Sequence, residues 1–183
     1  MASRYDDELW ELVPEDPGPP PGLLVAFVGG FGRVQRALDL GCGDGRLSAE
    51  LDAAELTAAD VSAVALERAR TRLPDARLVE LEPDAPLPLG DAGFDLVLCA
   101  ETIEHVRDVQ LLLSEIRRVL RPSGTLALTT PANLPLGTRP DPLSPHLRQF
   151  TRRSLSRVLD ELGFEVESVR RRSGTLLAVA RRG

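Results

Sequence analysis

Ala37-Leu38-Asp39-Leu40-Gly41-Cys42-Gly43-Asp44-Gly45-Arg46 decides the fold of this chain, because a short apolar run breaks there into three alternate glycines. Glycines so placed let backbone N–H groups approach a ligand closely. A carboxylate about 20 residues on can hold a ribose diol, and Asp60 closes the next apolar run at that distance. The pair points to a nucleoside cofactor. A lone glycine triplet can also be a plain strand-to-helix turn, so the rest of the chain has to decide.

A dinucleotide fingerprint, G-x-G-x-x-G, needs glycine where this chain has Arg46, which argues against NAD. The run Leu38 to Gly45, with Asp39 inside it, resembles the first motif of the class I S-adenosylmethionine-dependent methyltransferases, and of their small single-domain type 11-like members. That resemblance implies that Asp39, Gly41, Cys42, Gly43 and Gly45 pass the amino-acid part of S-adenosylmethionine. It also assigns Asp60, with Val61 after it, to the ribose.

Composition sets the outer bounds. The 183 residues suit one domain, and 43% hydrophobic with 27% charged residues is ordinary for a soluble globular protein. A formal net charge of −6 gives no general attraction to nucleic acid or anionic lipid. No apolar run is long enough to span a bilayer, and the acidic start Met1 to Asp7 is unlike a signal peptide, so a cytoplasmic protein without a membrane partner is expected. Cys42 and Cys99 read as reduced thiols.

Residues 14–22 are dense in proline and glycine, so residues 1–22 are expected to form a short N-terminal arm and linker, followed by one domain over 23–183. Apolar runs at 36–40, 56–60, 77–81, 94–100 and 125–130 read as strands buried on both faces. Ser62 caps a helix carrying Ala65, Leu66, Ala69 and Leu73. Val109, Leu112, Leu113, Ile116 and Leu120 repeat at helical spacing before Pro122, and Thr151 caps a third helix ended by Gly163. This alternation predicts an α/β fold with a mostly parallel sheet and helices on both faces. The runs at 164–169 and 175–180, joined by five residues, read as a hairpin. The resemblance makes this a Rossmann-like seven-stranded sheet with a C-terminal antiparallel hairpin.

The chemistry is expected at the strand ends. The Pro-rich stretch Glu82 to Asp95 resembles the family segment bordering adenine, which assigns Asp84 to the exocyclic amine and the Ala85 N–H to a ring nitrogen. Cys99, Ala100 and Glu101, at the end of the fourth strand, correspond to the turn beside the sulfonium. Cys99 lacks the preceding proline of the cytosine-C5 enzymes and reads as a buried side chain. Glu101, Glu104 and His105 stand at i, i+3 and i+4, so one helical turn gathers them on one side. With His146 they form a candidate Mg²⁺ or Mn²⁺ set, a pattern that resembles small-RNA ribose 2′-O-methyltransferases and some quinone-biosynthesis O-methyltransferases. His105 and His146 are also candidate general bases, being the only histidines. Arg121-Pro122-Ser123-Gly124 and Thr129-Thr130-Pro131-Ala132-Asn133 resemble further family turns, with Ser123 in place of a glycine.

The expected function is methyl transfer to an oxygen or nitrogen of a small molecule. Two alternatives stand beside it: a metal-dependent RNA ribose 2′-O-methyltransferase-like enzyme, and a non-catalytic cofactor-binding partner subunit. The short arm suggests an open acceptor pocket, completed by a large acceptor, a second copy or a partner subunit.

Overall fold

The computed structural model describes residues 2–132 and 146–183, with the side chains of the first helix from Tyr5 onward. Seven strands form one sheet: β1 (Val34–Leu40), β2 (Ala53–Asp60), β3 (Arg77–Glu80), β4 (Phe94–Ala100), β5 (Leu120–Pro131), β6 (Phe164–Arg172) and β7 (Thr175–Arg182), in the order β3-β2-β1-β4-β5-β7-β6. Neighbours from β3 to β5 run parallel, while β7 pairs antiparallel with both β5 and β6. The chain steps outward from β1 to β3, then returns to lay β4 on the other side of β1. The crevice at that reversal, at the carboxyl ends of β1 and β4, is where such sheets bind ligands.

The helices are α1 (Ala2–Leu12), α2 (Gly22–Gly29), α3 (Ala63–Arg72), α4 (Val109–Val119) and α5 (Arg152–Glu161). Alternate strand residues feed opposite faces, as the two-residue period of a strand requires. Leu38, Leu40, Ala59 and Val97 join Leu113 and Ile116 of α4 and Leu155 and Leu159 of α5 in the larger core. Ala37, Leu96 and Leu98 pack with Val28 of α2, and Ala58 packs with Leu66 and Ala69 of α3. Strands apolar on both sides are what a parallel sheet under two helical layers demands.

The caps follow the sequence. Ser62 Oγ accepts from the Ala65 N–H, and Thr151 forms a capping box with Ser154. Leu120 differs from its expected place in α4, because it is already extended and opens β5. Pro122 explains this: the chain leaves the helix before reaching a residue that cannot continue it. The arm is also more ordered than a bare linker, since its first residues form α1, packed along α3. Between β3 and β4 the Pro-rich stretch forms turns without a helix. Arg118 of α4 holds it by donating to the carbonyls of Leu87 (3.0 Å) and Leu89 (2.8 Å). Asn133 and most of the long loop between Pro131 and Phe150 lie outside the described residues.

Candidate active site

The glycine turn leaves β1 with its backbone in the left-handed region. Gly41 has φ +77°, and a Cβ there would stand 2.3 Å from Thr102 Oγ1. No other residue fits, since Thr102 ties the ends of two strands together: its hydroxyl lies 2.9 Å from the Ala100 carbonyl and 3.3 Å from that of Leu40. Beneath the turn Asp39 is buried and accepts from the Ser48 hydroxyl at 2.5 Å. Burial pushes its pKa up to about 7 against that hydrogen bond.

Asp60 comes to the turn from the end of β2. Its Oδ2 accepts from the Gly43 N–H at 2.8 Å and its Oδ1 from the Ser62 N–H at 2.9 Å. Burial raises its pKa, and the backbone N–H groups work the other way. Each oxygen keeps a second lone pair, so the carboxylate is fixed in orientation and still able to accept from a diol. Val61 beside it is half-buried against the core. The left-handed turn and this oriented carboxylate fit the amino-acid and ribose parts of S-adenosylmethionine. Asp84, with φ +55°, is exposed and receives a long hydrogen bond from the Asp108 N–H, 3.4 Å; Ala85 is half-buried next to it.

Cys42 and Cys99 are free and buried, and burial drives both thiols upward in pKa, so neither is a nucleophile at neutral pH. After Ala100 the backbone turns through Glu101 at φ +50°, a conformation that costs a non-glycine residue about 1–2 kcal/mol. Two threonines of β5 then hold the two glutamates: the Thr129 hydroxyl donates to Glu101 Oε1 at 2.8 Å and the Thr130 hydroxyl to Glu104 Oε2 at 2.9 Å. Glu104 is 1% exposed, and among the described residues its Oε1 has no hydrogen-bond partner, lying 3.9 Å from His105 Nε2. Burial raises the pKa of Glu101 and takes that of Glu104 to about 7, with the neighbouring Glu101 charge adding to the latter.

His146 arrives from the far side of the long loop. The Leu147 N–H donates to the Glu104 carbonyl at 2.9 Å, and a bridge from Phe150 to Ala132 fixes the return to α5. The rings of His105 and His146 meet edge to face with centroids 5.0 Å apart. One ligand atom each from Glu104, His105 and His146 fall within 4.8 Å of one another. Glu101, the fourth residue of the candidate set, accepts from Thr129 at one oxygen, and the mutually close ligand atoms are those of the other three. The roles of Thr102, Thr129 and Thr130 were not read from the sequence, because only the register between β4 and β5 brings the threonines to the glutamates.

Fold and site together define a Rossmann-like methyltransferase architecture. The comparisons agree. Residues 38–128 match the family model described as a methyltransferase domain. A probable S-adenosylmethionine-dependent methyltransferase of Mycolicibacterium smegmatis is 39% identical over 137 residues, 71% of this chain and 52% of that protein. A malonyl-[acyl-carrier protein] O-methyltransferase of Enterobacter lignolyticus is 38% identical over 100 residues, 54% of this chain and 39% of its own. Among solved structures, an S-adenosylmethionine-dependent methyltransferase from Aquifex aeolicus superposes with a TM-score of 0.73 at 19% identity, covering 96% of this chain and 97% of that one. The chain belongs to the class I S-adenosylmethionine-dependent methyltransferases. It spans about half the length of the curated relatives it matches. Among the described residues, no helix is long and apolar enough to cross a membrane.

Proposed function

We propose that this chain transfers the methyl group of S-adenosylmethionine to an oxygen or nitrogen of a small molecule, with residues 23–183 as the catalytic domain. The observation that carries the proposal is the meeting, at the carboxyl ends of β1, β2 and β4, of the Gly41–Gly45 turn and Asp60 with the Glu104–His105–His146 cluster. The sulfonium supplies a methyl group with a good leaving group attached, so the protein's main task is alignment. Asp60 orients the ribose, the glycine turn carries the amino-acid part, and Ala100 and Glu101 form the floor next to the methyl.

An oxygen acceptor must lose its proton as the new bond forms. His105 or His146 takes it, and the Glu104 carboxylate beside His105 favours the imidazolium that results. The O-methyltransferase among the relatives supports an oxygen acceptor. The test has two arms. Calorimetric titration with S-adenosylhomocysteine is expected to give micromolar binding that Asp60→Asn abolishes. Turnover of a panel of carboxylic, phenolic and amine acceptors with labelled cofactor is expected to fall about 10²-fold or more in His105→Ala or His146→Ala, with binding retained. Binding without turnover on any panel member, unchanged by either histidine variant, would favour a cofactor-binding partner subunit.

A second reading rests on the same cluster. Glu104, His105 and His146 would hold Mg²⁺ or Mn²⁺, and the buried Glu104 oxygen without a partner suits such a role. A metal there would draw an acceptor diol to the cluster, the chemistry of an RNA 3′-terminal ribose. Mn²⁺ binding measured by paramagnetic resonance, lost in Glu104→Gln, is the expected sign. Equal signals from both proteins exclude the reading.

A further inference from the structure

The only tryptophan of the chain lies on the glycine turn. A Cβ on Gly43 would stand 2.6 Å from Trp10 Cζ2 and 2.8 Å from Cη2, so the indole edge fills the space that the glycine leaves. Arg68 of α3 backs the ring at 5.8 Å from its centroid and donates to the carbonyls of Val13 at 3.0 Å and Pro14 at 3.3 Å. Arg46, from the turn, donates to the Gly18 carbonyl at 2.8 Å. Nearly a turn before Trp10, Asp7 Oδ1 accepts from the Ser62 hydroxyl at 2.7 Å and the Val64 N–H at 3.2 Å. Helix α1 is thus fastened to the first turn of α3, two residues beyond Asp60. With α1 seated, Asp60 is 7% exposed.

The attachment is also light. No residue from Tyr5 to Leu12 is buried, whereas α3, α4 and α5 each bury two or three. An 11-residue helix is marginal by itself, and the described side chains of α1 dock through half-buried Leu9 and Trp10 and the polar contacts of Asp7. Elements of that kind open far below the free energy of global unfolding. We propose that α1 is a cover over the amino-acid and ribose parts of the cofactor site, latched by Asp7 and closed by Trp10, and that cofactor enters and leaves as the helix lifts. This rests on the reading of the glycine turn and Asp60 as the S-adenosylmethionine site.

Being the sole tryptophan, Trp10 reports its own test. Titration of the full chain with S-adenosylhomocysteine is expected to change its emission over the same concentrations at which calorimetry records heat. Stopped-flow release is expected to quicken about five- to tenfold in Asp7→Ala, the scale of a lost charge-assisted hydrogen bond, with affinity weakened in step. Trp10→Ala, followed by displacement of labelled cofactor, is expected to do the same. Release and affinity unchanged in both variants would make α1 a bystander. Tighter binding in either would make it a competitor of the cofactor. Both results overturn the cover while leaving the cofactor site intact. An absence of heat in the unaltered protein and both variants overturns the cofactor reading and the cover with it.

Discussion

At the scale of single residues, buried carboxyls make this protein respond to pH, Asp39 and Glu104 among them. Asp39 titrates near 7 because burial disfavours its charge, and Glu104 does so for the same reason with the Glu101 charge added. Both pKa values are raised in the folded state, so the folded protein holds these protons more tightly than the unfolded chain. The associated stability is fully present below about pH 4, where both states are protonated, and is lost as pH rises through about 7. Ligand-free protein is therefore expected to lose stability between about pH 4 and 7 in denaturant titrations, and Asp39→Asn to follow a flatter curve. Parallel curves would show that Asp39 does not titrate there. The carboxyl itself was legible in the sequence as part of the glycine motif. Its shifted proton was not, because the Ser48 hydroxyl reaches it only after the chain folds back behind the turn.

At the scale of elements, legibility followed locality. The helices α3 and α5 could be placed from their caps, and the C-terminal hairpin from two β-rich runs too close together for a crossover. Each of those signals lies within a few residues of what it controls. Helix α1 escaped because its packing depends on Trp10 meeting Gly43 and Asp7 meeting Ser62, contacts between segments far apart in sequence. The turn into β5 is an intermediate case. Ser123 stands where the family turn carries glycine, and its φ of +60° shows why glycine is usual there. Left-handed backbone costs a residue with a Cβ about 1–2 kcal/mol, while glycine returns part of that through the entropy of the unfolded chain. Ser123→Gly is accordingly expected to stabilise the protein by up to about 1 kcal/mol, read as a rise of roughly 2–4 °C in Tm. A lower Tm would show that the serine side chain repays its backbone.

At the scale of the whole molecule, the candidate site is assembled from pieces that only the completed sheet brings together. Gly41 and Asp39 come from β1, Asp60 from β2, and Glu101 and Glu104 from the end of β4. His146 reaches them from beyond β5, held by the backbone bond from Leu147 to Glu104. None of these pieces forms a binding surface alone, so the unfolded chain has no affinity for the cofactor to speak of. Binding energy must then appear as stability of the entire domain. At 100 times its Kd, S-adenosylhomocysteine is expected to add about 2.7 kcal/mol, a rise in Tm of roughly 5–10 °C for a domain of this size. Asp60→Asn keeps an acceptor for one of the two backbone N–H groups and so should fold, yet it loses the charged acceptor proposed for the ribose pair. Its melting temperature is expected to be insensitive to the ligand. If the variant shifts as far as the unaltered protein, the ribose is held elsewhere. The crevice between β1 and β4 would then need another role for a carboxylate that two backbone donors already aim.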